Sequence, residues 1–384
     1  MQRFLSVAVA SLSAALAAQS SVTITDGNAS FSYTSYAPAP SNTGGFANFT
    51  VGGTDHLYQS WWCYAVQGDT VGSAFNTSNG QMTVLTSADN RSVTLQWIDV
   101  DARGFSALLT NTVYSTGATS AVSAQSLTIV NNGASPLAIQ IYKYIDLDVA
   151  ATTANMATQA PTWPAGNHMI QDSLGTQAWA MADGFSNFEV ATYPNVRSRI
   201  FSGVGGQPFV PGNIGLPFGT ADYTSCFYWV ATIPPNSAQT FRAMIAIGHE
   251  PASQRIADAT TYCVGKAGTN GVPVWVRNAP FIGATVPLRV DNGFTGSAPI
   301  VFLGVTQTAT PVNPFGTLCT VPVTTFTMPP FDAARTSTLP IPIPNQPSFG
   351  GVSLYLQAVF ADPGAAASVA HTDGLTWTFG SFAN

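Results

Sequence analysis

The chain reads as all-β, with a large antiparallel β-sandwich followed by a smaller sandwich or jelly-roll-like module. Three observations predict this. Charged residues make up only 8% of the sequence, against roughly 25% in an ordinary soluble domain, while the hydrophobic fraction is 46%. A surface so poor in charge meets water through Ser, Thr, Asn, Gln and backbone, and these residues with Val, Tyr, Phe and Trp suit strands and turns rather than Lys/Glu-rich helices. The 34 glycines and 26 prolines supply many turns without reaching the level of a disordered polypeptide. Finally, short alternating segments bounded by turn residues recur along the sequence. At 384 residues the length fits two domains, each able to bury a core.

Residues 1–18, MQRFLSVAVASLSAALAA, have the form of an export signal. Arg3 supplies a positive start, Phe4 to Ala10 an apolar stretch and Ala15-Leu16-Ala17 a small-x-small cleavage pattern. The mature chain is expected to begin near residues 18–20, in a secreted or cell-surface protein. No later stretch reaches the roughly 18 to 20 uninterrupted apolar residues of a membrane span.

Residues 19–250 form the expected first domain. VTITDGNASFSY carries the Asp-Gly turn and alternation of an opening hairpin. QMTVLTSADNRSVTLQWIDVD, FSALLTNTVYS and FYWVATIPPNSAQTFRAMIAIG continue the pattern, and SLTIVNNGASPLAIQIYKYIDLDV reads as two long strands joined by NNGASP. PASQRIADATTY, residues 251–262, has helical texture, with Pro251 at a first-turn position and Ile256 and Ala259 on one face. It is expected to be a short linking helix.

Four cysteines in an exported chain are most simply two disulfides, with three possible pairings. A boundary at the linking helix favours Cys63 with Cys226 in the first domain and Cys263 with Cys319 in the second. Unpaired buried thiols are the alternative.

Residues 263–384 form the expected second module, in which VPVWVRNAP, TVPLRVDN, APIVFLGVT, VPVTTFTM and SLYLQAVFADPG are short strands at sandwich spacing. Cys263-Val-Gly, Cys319, the run LPIPIPNQPSFGGVSLYLQAVFADPG and the closing GLTWTFG resemble the C-terminal β-modules of secreted proteins from planctomycete-like bacteria. That resemblance implies a folded appendage for sorting, attachment or assembly, and brings no catalytic residues. TDHLYQSWWCYAVQGDT and the hairpin ending YIDLDV are similar to the N-terminal domains of uncharacterised secreted bacterial proteins.

Three groups of side chains could carry chemistry. In IQIYKYIDLDVA the period of two places Ile139, Ile141, Lys143, Ile145, Leu147 and Val149 on one face and Tyr142, Tyr144, Asp146 and Asp148 on the other. Two phenols and two carboxylates in a row can stack on a pyranose and accept its hydroxyls, or the aspartates can bind Ca2+ with help from loop oxygens. A solvent-facing polar stripe is the plainer alternative. Lys143 among the isoleucines suggests an edge position or a change of phase. Asp99 and Asp101 in QWIDVDARG could complete an acidic metal cluster with Asp146 and Asp148 if the strands are neighbours, or simply mark a turn with Arg103 as their partner. Trp61 and Trp62, beside Cys63 and Tyr64 and preceded by Asp55 and His56, are a ligand shelf or a core packed against a disulfide.

Other classes are excluded or unsupported. A net charge of -6 with only 12 Lys plus Arg removes the electrostatic term that dominates nucleic-acid affinity. His56, His168, His249 and His371 form no metal pair at helical spacing, and the sequence has no G-x-S-x-G elbow or phosphate loop. The expectation is an exported, non-enzymatic surface, adhesive or glycan-contacting protein with no cofactor beyond a possible Ca2+, its partners a polysaccharide or a cell-surface protein. The alternatives are a carbohydrate-active hydrolase or lyase built on the aspartates, and a purely structural surface component.

Overall fold

The computed structural model describes residues 21–33, 47–76, 79, 81–87, 89–251 and 256–381. Residues 1–18, where an export signal is expected, lie outside the described residues. Those described form an all-β, multi-sheet protein.

In chain order the first unit comprises β1 (Val22–Asp26), β2 (Ala29–Tyr33), β3 (Ala47–Val51), β4 (Thr54–Asp55), β5 (Gln59–Val66), β6 (Ser73–Ala74), β7 (Gln81–Thr86), β8 (Ser92–Ile98), β9 (Phe105–Gly117), β10 (Ser120–Asn131), β11 (Leu137–Asp146), β12 (Asn155–Gln159), β13 (His168–Gln171), β14 (Gln177–Asp183), β15 (Asn187–Thr192), helix α1 (Asn195–Ser202), β16 (Phe218–Ala221), β17 (Tyr223–Ile233) and β18 (Ala238–Ile247). The first four strands make a small antiparallel sheet, and the rest divide between two larger ones. A nine-stranded sheet has the order β16-β12-β13-β14-β18-β10-β9-β8-β7, and a five-stranded sheet the order β15-β17-β11-β5-β6.

Strict alternation decides what each face of the nine-stranded sheet covers. Leu127 and Ile129 of β10, Phe241 and Ile245 of β18 and Ala178 and Ala180 of β14 point into a core shared with the five-stranded sheet. Their neighbours Val122 and Ala124, Met244 and Ala246, Trp179 and Met181 point the other way, into a second core shared with Phe281, Val290, Leu356 and Trp377 of the C-terminal unit. The sheet is therefore buried on both faces, which explains why β10 and β14 read as nearly continuous buried runs. Tyr114 links the two units, its hydroxyl donating to the Ala279 carbonyl at 3.1 Å and its ring 4.4 Å from that of Phe281.

The described part of the expected linking helix is not helical. Residues 252–255 lie outside the described residues, and Asp258–Tyr262 is a strand, β19, paired antiparallel with Gly374–Thr378 at the edge of a six-stranded sheet. The second unit thus starts by Asp258 rather than at Cys263. Thr260 and Thr261 are β-branched, and pairing satisfies backbone groups that the weak helical pattern would have left to itself. Ile256 and Ala259 are buried in the second core. The α-helix of the described residues is α1, where sequence reading found none. It lays Val196 and Ile200 on the outer face of the five-stranded sheet.

One disulfide is present, Cys263–Cys319, with Cα atoms 5.9 Å apart. Cys63 and Cys226 are free and buried, correcting the expected second bond. Both lie beside β11, Cys63 opposite Tyr142 on β5 and Cys226 opposite Tyr144 on β17. Two strand spacings, roughly 9 to 10 Å, therefore separate them, beyond the reach of about 7 Å that a disulfide tolerates. Burial pushes the Cys63 thiol up to about 12 and the Cys226 thiol well above its ordinary value.

Candidate functional site

Strand β11 runs through the middle of the five-stranded sheet, and its two faces meet different surroundings. Ile139, Ile141 and Ile145 enter the sandwich core, and Lys143 goes with them. Its ammonium donates to Ser60 Oγ and to Gln125 Oε1 at 2.7 Å, and lies 5.4 Å from the centre of the Trp62 ring. Lys143 is thus neither at an edge nor out of phase: a polar nest in the core accepts it, and burial drives its pKa well down.

The opposite face carries Tyr142, Tyr144 and Asp146 as the alternation predicts, but α1 and the loop after it cover that face. Tyr142 donates to the Phe209 carbonyl at 2.8 Å, and Arg199 of α1 pairs with Glu189. Trp61, Trp62, Tyr142 and Tyr144 are 5%, 2%, 0% and 2% exposed. An open stacking platform built from these four rings does not exist. Trp62 instead stacks on Trp229 at 5.7 Å and donates to Gln125.

The second acidic pair is also placed elsewhere. Tyr64, five residues along β5 from the strand partner of Asp146, donates to Asp101, whose Oδ1 also accepts from Asn79 at 3.0 Å. Asp99 accepts the Gly104 amide at 2.8 Å. Arg103 pairs with Asp69 at 2.7 Å rather than with either aspartate. Asp99 and Asp101 therefore brace a tight turn and do not join Asp146 and Asp148.

What does join them is Asp222, immediately before β17. One carboxylate oxygen from each of Asp146, Asp148 and Asp222 lies within 4.8 Å of the others. Asp146 ends β11 and is 1% exposed, while Asp148 and Asp222 are half-buried. Tyr144 donates to Asp146 Oδ2 at 3.2 Å, and Asp146 Oδ1 is buried with no partner. Burial, followed by the nearby charges of Asp148 and Asp222, pushes the Asp146 carboxyl up to about 8. Burial, then Asp222 and Asp55, pushes Asp148 up to about 6, and burial raises Asp222.

The surroundings hold the trio from several directions. The turn Val149–Ala151 that follows Asp148 is pinned by His56, whose Nδ1 accepts the Ala150 amide at 3.0 Å. Tyr58 is 44% exposed and meets the Tyr193 ring edge-on at 6.3 Å, and Tyr193 accepts from Arg197 of α1 at 3.1 Å. Asp222, Tyr58, Tyr193 and Arg197 were not legible as site residues. Nothing local in the sequence marks them, because strand pairing places Asp222 and Tyr58, and the packing of α1 and the turn before it places Tyr193 and Arg197. Of the expected ligands, Asp146 and Asp148 belong to this cluster, and Asp99 and Asp101 do not.

No helix among the described residues is long and apolar enough to cross a membrane. No family model matches the sequence, and no curated protein matches it. Among solved structures, a bacterial glucoamylase complexed with acarbose is similar over 53% of this chain and 30% of that chain, at 9% identity and a TM-score of 0.34.

Proposed function

We propose that the chain is an extracytoplasmic binding protein of the surface or adhesive kind, in which Asp146, Asp148 and Asp222 hold Ca2+ and hydroxyls of a glycan complete the coordination. The convergence of the three carboxylates carries this reading. Two oxygens bound at about 2.4 Å to one Ca2+ lie at most about 4.8 Å apart, which is the limit within which the three oxygens fall. The donors are all oxygen, the set that Ca2+ prefers. The raised pKa values of Asp146 and Asp148 are consistent with it, because burial first and the neighbouring carboxylates second penalise their charged forms, a penalty that a bound cation would offset. Tyr58 and Tyr193 stand at the rim, where phenol rings can pack on a sugar. The C-terminal unit would serve attachment or assembly.

One observation favours a second reading, a carbohydrate-active hydrolase or lyase. With Asp146 at about 8 and Asp148 at about 6, one carboxyl is protonated and one ionised near neutrality, as an acid and base pair requires. A glycosidase pair, however, is two carboxylates that face each other across the scissile bond, whereas here three converge on one point. The convergence of three favours the cation.

The test is the thermal midpoint of residues 20–384 in EDTA, in Ca2+, and in Ca2+ with soluble polysaccharides, with reducing ends assayed in parallel. A ligand that binds only the native state raises the midpoint. The proposal expects a rise with Ca2+ that Asp148→Asn abolishes, and a further rise with a glycan only when Ca2+ is present. Release of reducing ends would move the assignment to the enzyme, and an unmoved midpoint would reject both.

A further inference from the structure

A second feature lies away from the acidic trio, where the two units meet. A cleft of about 600 Å³ opens beside β15 and is lined by Asp183, Gly184, Phe185, Ser186, Phe188 and Asn213. A cleft of about 420 Å³ between β18 and the C-terminal unit shares Asp183 and Gly184 with it, and adds Gln239, Thr240, Ser353 and Thr378. The two share that dipeptide, which stands between Asn213 on the first unit and Ser353 and Thr378 on the second, and together they are treated as one trough. Gly184 has φ +58°, and a Cβ there would meet nothing within 4 Å, so the junction is open.

The charges along the trough are already satisfied. Arg242, which lines the smaller cleft, pairs with the buried Asp258 at 2.8 Å, and Asp183 accepts the Ile256 amide at 3.2 Å. The groups that face a ligand are amides, hydroxyls and the half-buried rings of Phe185 and Phe188, set edge to face with centroids 6.5 Å apart. Thr240 is also hydrogen-bonded to Thr128, Ser353 to Thr378, and Asn213 Oδ1 to the Phe188 amide, which leaves each hydroxyl or amide further capacity. A charged ligand would find no uncompensated partner, and a purely apolar one would strand the amides and hydroxyls. A neutral chain of sugars offers both hydroxyls and apolar C–H faces. The volume of the larger cleft, which lies wholly on the first unit, is within the usual range for ligand sites, and the smaller cleft lies at the kind of domain junction such sites favour.

We infer that this trough binds a neutral, linear oligosaccharide across the junction of the two units, with Phe185 and Phe188 as its apolar floor and Asn213, Ser186, Gln239, Thr240, Ser353 and Thr378 as its polar walls. Asp222 precedes β17 next to Thr192 at one end of β15, whereas Phe188 and Asn213 lie towards the other, so the trough is separate from the cation site. Binding here needs no cation.

The test is affinity electrophoresis of the full protein in EDTA, through gels containing maltodextrin, laminarin, galactomannan, xylan or polygalacturonate. Ser186 is exposed and Ser186→Trp puts an indole into the cleft without removing a packed group; its thermal midpoint checks the fold. Phe185→Leu keeps the burial and loses the ring. The inference expects retardation by at least one neutral polymer, an apparent Kd weakened at least tenfold by Ser186→Trp and severalfold by Phe185→Leu, and no change in Asp148→Asn. It is overturned if no neutral polymer retards the protein, if polygalacturonate is preferred, or if Ser186→Trp binds as well as the wild type. Dependence of the retardation on Ca2+ and Asp148 would return the sugar to the acidic trio.

Discussion

Asp146 stands directly opposite Gln59 across the β5–β11 pair, and each is 1% exposed with polar atoms unpartnered: Oδ1 of the carboxyl and both ends of the amide. Buried polar groups are almost always bonded. These two groups face each other at the end of a central strand, beside two more carboxylates. The proposed cation would give Asp146 Oδ1 and Gln59 Oε1 an electropositive partner, and leaves the Gln59 amide donor to water.

Asp146→Asn keeps the shape and removes the charge. In EDTA at pH 8 it should be more stable than the wild type, by on the order of 1–2 kcal/mol, since a neutral amide avoids the cost of burying a charge and does not repel Asp148 and Asp222. In Ca2+ the order should reverse. Urea unfolding of both proteins with and without Ca2+ measures this.

The pH dependence follows from the sign of the shifts. The folded pKa of Asp146 is raised to about 8 and that of Asp148 to about 6, so the folded state binds more protons than the unfolded one. Stability of the cation-free protein should fall as pH rises from about 4 towards 8 through these groups. Ca2+ must displace the protons, so its binding should tighten over pH 6 to 8 with proton release, read from titration heats in buffers of different ionisation enthalpy.

Lys143 separates packing from charge. Its folded pKa is lowered, so it weakens the fold progressively as pH drops below the ordinary lysine value of about 10.4. Lys143→Met fills the space without a charge, and Gln125 still accepts from Trp62. This variant should match or exceed wild-type stability at pH 6, whereas Lys143→Ala, which leaves a cavity, should lose about 2–4 kcal/mol. Denaturation midpoints at pH 6 and 9 distinguish the two.

Thiol counting tests the cysteine assignment. The native protein should resist a thiol reagent, because Cys63 and Cys226 are buried, and the unreduced, unfolded protein should yield two reactive thiols per chain. Cys263→Ser with Cys319→Ser opens a loop with a sequence separation of 56, and should cost about 4 kcal/mol on the chain-entropy account.

The sequence showed the strands of the first unit well, because alternation in segments such as IQIYKYID survives in the burial of each face. It could not show that α1 folds over the outer face, so the polar row from Tyr142 to Asp146 looked exposed and is not. The aspartates at 146 and 148 were legible as an acidic pair at a strand end. Asp222 was not, being one carboxylate in TADYTSCFYW that strand pairing alone brings to Asp146. Cys63 and Cys226 misled for the same reason: domain membership does not fix which strand lies between two residues. Residues 258–262 carried too short a pattern for periodicity to separate helix from edge strand.

Isothermal titration of Ca2+ into the EDTA-treated, desalted chain at pH 7.5 tests the central claim most directly. The account predicts one site per chain, lost in Asp148→Asn and in Asp222→Asn while both variants keep the wild-type circular dichroism. Absence of binding heat in a protein whose midpoint Ca2+ also leaves unmoved, or full binding by both variants, would contradict it.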